Sequence, residues 1–170
     1  MRTLLALSGS ASPDSSNVRL LRYVAQEFSH QFTFEVMYGL WLLPLYTPQL
    51  EEAGIPSEVQ SLRQRVAKAE AVIISTPEYL HNIPAVLKNA LEWMTTSGEL
   101  ADKPVLAITF TPRAPRGEYA MTSLTVSLQA SKARVVAQLP LYRDQLTVAN
   151  GPIALDEEHR FLLGEAIRLL

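Results

Sequence analysis

The sequence predicts an α/β fold in which a parallel sheet carries helices on both faces, and three observations lead there. Short apolar runs alternate along the 170-residue chain with segments whose apolar residues recur at helical spacing. Five such runs separated by helices imply βαβ units, whose right-handed crossovers make the strands parallel. The runs around Leu4, Val72 and Val105 are apolar without interruption, as strands covered on both sides are.

Each element has its own signal. Residues 3–7 form a buried strand, and a helix follows over 17–28 with Leu20, Leu21, Val24 and Phe28 on one side. Residues 32–37 alternate and are rich in aromatic and branched side chains, which makes a second strand. A helix over 56–69 opens with Pro-Ser-Glu and carries Val59, Leu62, Val66 and Ala69 at helical spacing. The third strand is 71–75 (AVIIS), followed by a helix over 83–96. The fourth is 104–110 (PVLAITF), followed by a helix from about 118 to 130, and 134–138 is a short fifth strand. Residues 156–170 form a closing helix with Asp156, Glu157 and Glu158 at its positive end. Residues 41–52 (WLLPLYTPQLEE) read as a long irregular loop held extended by two prolines. Its aromatic and leucine residues either fold back on the core or contact another subunit. With no repeat, low-complexity tract or linker, the expectation is one domain over 1–170.

Composition removes several classes of function. The net charge is −2 with no basic run, which argues against nucleic acid as a partner because phosphate neutralisation needs clustered Lys and Arg. The absence of cysteine excludes disulfides, thiolate metal sites and cysteine nucleophiles. The three histidines show neither HxH nor HExxH spacing, so no protein metal site is expected. No GxSxG elbow is present. The N-terminal apolar stretch TLLAL is too short for a signal peptide or a membrane span, so the expectation is a cytoplasmic protein without membrane association.

In sheets of this type ligands settle outside the carboxyl ends of the strands, which selects residues 8–17, 76–84 and 111–117. The first segment, SGSASPDSSN, leads into a helix N-terminus, where free N–H groups and the helix dipole favour an anion. Five serines and an asparagine add donors without bulk, and Gly9 permits close approach. The segment lacks GxxxxGK[ST] and GxGxxG, and its single charge is Asp14, so it suits a phosphate held by neutral hydrogen bonds. An ordinary cap at Ser16 or Asn17 accounts for one of these residues, not for all of them. The second segment begins with Thr-Pro-Glu-Tyr, where Pro77 fixes the chain and leaves the peptide groups of Glu78 and Tyr79 to face outward. That suits the edge of a planar heterocycle.

At this point the chain resembles the NADPH-dependent FMN reductase family, from residue 3 to about 140. The resemblance rests on GSxxxxSxN (Gly9, Ser10, Ser15, Asn17) and on TPEYxxxIPxxLKNALxW, residues 76–93. It implies a flavodoxin-like sheet of order 2-1-3-4-5. It also implies FMN as cofactor and NAD(P)H as co-substrate, with a ping-pong transfer to a small-molecule electron acceptor such as a flavin, quinone, azo compound or metal oxyanion. Ser10, Ser12, Ser15, Ser16 and Asn17 would take the FMN phosphate, and Pro77, Glu78, Tyr79 and Asn82 the ring. Thr111, Arg113 and Arg116 complete the candidate set. Relatives of this kind imply a homodimer or homotetramer. Three departures stand out: Ser12 and Leu80 where the family has Arg and commonly Asn, and TPRAPRG where it is often glycine-rich. Arg113 or Arg116 either restores the missing charge or receives nicotinamide phosphates, unless both are solvated. The alternatives are a flavin-binding electron carrier or sensor, and a chain that kept the fold and lost the cofactor.

Overall fold

Five strands share one parallel sheet in the order β2-β1-β3-β4-β5, in a computed structural model that describes residues 1–146 and 153–170. The strands are β1 (Arg2–Ser8), β2 (Phe32–Met37), β3 (Ala71–Thr76), β4 (Pro104–Thr111) and β5 (Arg134–Tyr142). All four pairings are parallel, so every strand ends at the same edge. The three central strands, β1, β3 and β4, include the three uninterrupted apolar runs, as burial on both faces requires. The topology is the flavodoxin-like one expected.

The helices are α1 (Ser16–Glu27), α2 (Pro48–Ala53), α3 (Ser57–Lys68), α4 (Ala85–Glu92), α5 (Glu118–Ala130) and α6 (Glu157–Arg168). Successive strand residues face opposite sides, and this sorts the core into two layers. Leu4, Ala6, Ile73 and Ile108 pack with Leu20 and Val24 of α1 and Leu163 and Ile167 of α6. Leu5, Leu7, Val72 and Ile74 pack with Leu62 of α3, Leu87 of α4 and Leu124 of α5. Each of these side chains is almost fully buried, contributing about 1.5–3 kcal/mol for a Leu or Ile relative to exposure.

Four boundaries differ from the sequence expectation. The N-cap of α1 is Ser15, whose Oγ accepts from the Val18 N–H at 3.2 Å, rather than Ser16 or Asn17. Helix α4 is shorter than 83–96, because Pro84 precedes it and the chain turns from Trp93 onward. Strand β5 runs four residues past 138, since Pro140 sits on an edge strand where a missing N–H costs no ladder bond. The 41–52 segment is not irregular throughout: a 3₁₀ turn at Leu40–Leu42 and the helix α2 occupy much of it. Thr47 caps α2 by accepting from Leu50 N–H at 3.1 Å, and Pro48 opens its first turn.

Part of that segment folds back on the core. Leu43 is buried, and Tyr46 lies edge-on to Trp93 with ring centroids 5.0 Å apart. The Pro44 carbonyl accepts from Trp93 Nε1 at 2.7 Å and from Asn89 Nδ2 at 3.0 Å, so the strap is laced to α4. Leu42 and Leu45 stay exposed. Among the described residues, no helix is long and apolar enough to cross a membrane.

Candidate functional site

The first candidate loop leaves β1 at Ser8 and enters α1 at Ser16. Its base is fixed: the Gly9 N–H donates to the Ser75 carbonyl at 2.8 Å. A Cβ on Gly9 would stand 2.6 Å from Leu87 Cδ2, so only glycine lets the loop lie this close to α4. Inside the loop, Ser8 Oγ accepts from the Ser10 N–H and Ser10 Oγ from the Ser12 N–H, both at 3.3 Å. The Ser15 N–H donates to the Ser12 carbonyl at 3.3 Å. The N–H groups of Ala11, Asp14, Ser16 and Asn17 have no protein acceptor among the described residues. Four uncommitted donors at a helix N-terminus, with serine hydroxyls between them, fit a phosphate.

Asn17 plays a different part from the one the sequence suggests. Its side chain is buried; Oδ1 accepts from Ser75 Oγ at 2.7 Å, and Nδ2 donates to the Phe110 carbonyl at 3.3 Å. The amide therefore ties the first turn of α1 to the ends of β3 and β4. What it leaves for an anion is its backbone N–H. Ser10 is buried, Ser15 and Ser16 are half-buried, and Ser12 is exposed.

The second loop folds as a hairpin. Tyr79 and Asn82 exchange both backbone hydrogen bonds, at 2.9 and 3.0 Å, and Leu80 and His81 take φ of 50° and 56° between them. This is the turn geometry with two left-handed residues, for which Asn-Gly is the usual occupant. The expected outward peptide groups are corrected in detail. Both groups of Tyr79 are spent in the hairpin, and the Glu78 carbonyl accepts from Arg116 Nη2 at 3.2 Å. The N–H groups of Glu78, Leu80 and His81 have no protein acceptor among the described residues, and these are the donors offered to a ring edge.

The side chains around this hairpin join it to the third loop. Glu78 is 5% exposed, and its Oε2 accepts from the N–H groups of Gly117 and Ala120, each at 3.1 Å. Gly117, the N-cap of α5, has no side chain, so a carboxylate from another loop caps that helix. Asn82 Oδ1 accepts from the Ile83 N–H at 2.8 Å and from Ser123 Oγ of α5 at 2.6 Å. Thr111 is buried and donates to the Arg116 carbonyl at 2.6 Å, which closes the 112–116 loop. Pro77 is half-buried and Tyr79 half-exposed.

Between the hairpin and the third loop lies an open cleft of about 620 Å³, lined by Leu80 and His81 on one side and by Pro112, Arg113, Arg116 and Tyr119 on the other. The His81 ring stands edge-on to Tyr119 at 4.7 Å, and His81 Nδ1 is 3.6 Å from Glu78 Oε1. Arg113 and Arg116 both belong to this cleft. A separate cavity of about 190 Å³ lies against the first loop, and its cations are Arg19 and Arg143, which the sequence did not bring forward. Lys88 pairs with Glu92 at 2.9 Å on the surface of α4, as a solvated helix lysine would. Leu87, Leu91 and Trp93 are core.

The sheet order, with loops gathered at the carboxyl ends of β1, β3 and β4, defines a flavodoxin-like α/β protein whose first turn offers uncommitted N–H donors. Comparison with known proteins is more specific: the family model for NADPH-dependent FMN reductase matches residues 2–145, and the chain belongs to that family. FMN as cofactor and NAD(P)H as reductant are what membership implies, and the free N–H donors of both loops fit such a nucleotide.

Relatives agree in kind. The chain is 44% identical over 105 residues to the NADH:(hydroxy)cinnamate reductase subunit CrdA of Vibrio ruber, covering 61% of this chain and 51% of that one. It is 31% identical over 106 residues to the quinone reductase of Escherichia coli K12, covering 61% and 56%. The chain thus matches about half the length of these curated relatives. Among solved structures, the NAD(P)H:(acceptor) oxidoreductase FerB of Paracoccus denitrificans superposes with a TM-score of 0.79 at 23% identity, over 99% of this chain and 95% of that one. That likeness establishes the fold.

Proposed function

We propose that this chain is an FMN-dependent oxidoreductase, which takes a hydride from NAD(P)H and passes electrons to a flavin, quinone or similar small acceptor in a ping-pong cycle. One observation carries the reading. Ser75, at the end of β3, holds both the Gly9 N–H and the Asn17 amide, so the anion-type turn and the hairpin that follows β3 are neighbours on one edge. Uncommitted N–H donors at both places suit the two ends of one flavin nucleotide.

The bound flavin supplies the redox chemistry, accepting a hydride and giving electrons up. The residues of the chain position and neutralise. Ser10, Ser12, Ser15, Ser16 and the Asn17 N–H would hold the phosphate. Pro77 and Tyr79, with the Glu78, Leu80 and His81 N–H groups, would line the ring. Glu78, Asn82 and Thr111 act at one remove, by fixing the hairpin and the third loop to α5. Arg113 and Arg116 would meet the phosphates of the nicotinamide cofactor in the cleft, where their planar donor forks suit that geometry. The reading includes one domain over 1–170, a cytoplasmic location and a homodimer or homotetramer, the last supported by the exposed Leu42 and Leu45.

Anaerobic mixing of the FMN-loaded protein with NADPH, followed by a quinone, tests the proposal. Loss of the yellow absorbance on mixing and its return with quinone support it. A protein that takes up FMN but is not reduced is the electron carrier or sensor. A protein that takes up no FMN overturns both readings.

A further inference from the structure

The first loop holds no lysine or arginine, and its one charge, Asp14, is negative. A phosphate monoester carries between one and two negative charges at neutral pH, so neutral donors alone leave that charge uncompensated. The cations nearest in the motif-bearing loops, Arg113 and Arg116, line the other cleft, where Arg116 also donates to the Glu78 carbonyl.

We infer that Arg19 and Arg143 supply the positive charge for the phosphate of the bound flavin nucleotide, an inference that rests on the flavin reading above. The cavity of about 190 Å³ beside the loop is lined by Asp14, Ser16, Arg19, Phe110, Arg143 and Ile153. Its walls are braced. The Asn17 amide ties the first turn of α1 to the Phe110 carbonyl at the end of β4. The short 3₁₀ turn Arg143–Gln145 is pinned to the loop after β4 by the Asp144 N–H, which donates to the Pro112 carbonyl at 3.1 Å. The buried side chain of Leu146 anchors its far end.

The two arginines also lack partners. Arg2, Arg63, Arg65, Arg160 and Arg168 each face a carboxylate within ion-pair distance. Arg19 and Arg143 make no ion pair or side-chain hydrogen bond among the described residues, and residues 147–152 (TVANGP) contain no acid. Two unpaired guanidinium forks from different elements, converging beside the uncommitted Ser16 and Asn17 N–H groups, are the donor set that a phosphate selects. Asp14 opposes them, leaving one net positive charge in the cavity.

Titration of the flavin-free full chain with FMN and with riboflavin, which lacks the phosphate, tests the inference by fluorescence. Arg143→Ala and Arg19→Ala should each weaken FMN by at least about tenfold, the loss of one charge-assisted hydrogen bond, with riboflavin unchanged. Asp14→Asn should tighten FMN alone, and Arg143→Lys should keep part of the preference. Thermal melting of each variant identifies any that fail to fold, and the Asp14→Asn gain in affinity stands independently of such a loss. A wild-type protein that prefers FMN to riboflavin while the variants keep that preference overturns this inference and leaves the flavin reading intact. A wild-type protein that binds neither overturns both.

Discussion

The Glu78 carboxylate stands 3.1 Å from the Gly117 N–H, so a side chain of the β3 loop caps the helix that follows β4. The same oxygen, Oε2, also accepts from the Ala120 N–H. The hairpin and the Arg113 loop are thereby held as the two walls of one cleft. Glu78→Ala should destabilise the protein by about 1–3 kcal/mol, because a buried cap is lost and two N–H groups are left unpaired. Glu78→Gln, which keeps an acceptor but not the charge, should cost less. Urea unfolding of the two variants measures the difference, and equal losses would contradict the capping role.

Asn17 makes a related case. Its amide joins Ser75 and Phe110 in the core, so Asn17→Ala should lower stability by about 1–3 kcal/mol even without any flavin. Thermal unfolding of the flavin-free protein measures this. An unchanged midpoint would mean that the amide serves the ligand alone.

Thr109 Oγ1 is the buried side-chain polar atom left without a partner among the described residues. Thr109→Val removes that hydroxyl while keeping the branched shape that β4 packs. The variant should be neutral to about 1 kcal/mol more stable, since no hydrogen bond is broken. A clear loss in chemical denaturation would indicate that the hydroxyl has a partner in solution.

Leu80 is fully exposed and held at φ 50°. A branched side chain in the left-handed region carries about 1 kcal/mol of strain or more, which Asn bears more easily. Leu80→Asn should therefore raise the unfolding midpoint. A lowered midpoint would show that the leucine makes a compensating contact, as across a subunit interface.

Glu51 gives a pH dependence. The Thr96 hydroxyl at 2.5 Å, then Arg63 at 2.6 Å, lower its pKa below the ordinary 4.5. A carboxyl with a depressed folded-state value adds stability that is complete above the unfolded value. That stability is lost as pH falls through the folded one. Glu51→Gln should thus flatten the fall in urea midpoint below about pH 4.5 relative to the wild type. Parallel curves would remove Glu51 from the acid response.

The sheet was legible because its central strands are uninterrupted apolar runs, and the loops because their residue types are unusual for connections. Residue roles inside the loops were less so. Glu78, Asn82, Thr111 and Asn17 were candidate ligand contacts from the sequence, yet their side chains meet Gly117, Ser123, Arg116 and Ser75. Such pairings depend on which loops the sheet order brings together, and no local pattern encodes them. Arg19 and Arg143 were invisible for the same reason, one lying in a helix and the other beyond the last strand. The Thr47-Pro48 start of α2 was a cap signal in plain sequence, masked by reading both prolines of that strap as extended.

Amide NMR shifts of the flavin-free chain, recorded first with riboflavin and then with FMN, test most directly whether the two loops share one ligand. Riboflavin should shift the Glu78, Leu80 and His81 N–H resonances, and FMN should shift Ala11, Asp14, Ser16 and Asn17 in addition. Shifts confined to other surfaces, or the same set for both flavins, would contradict the account.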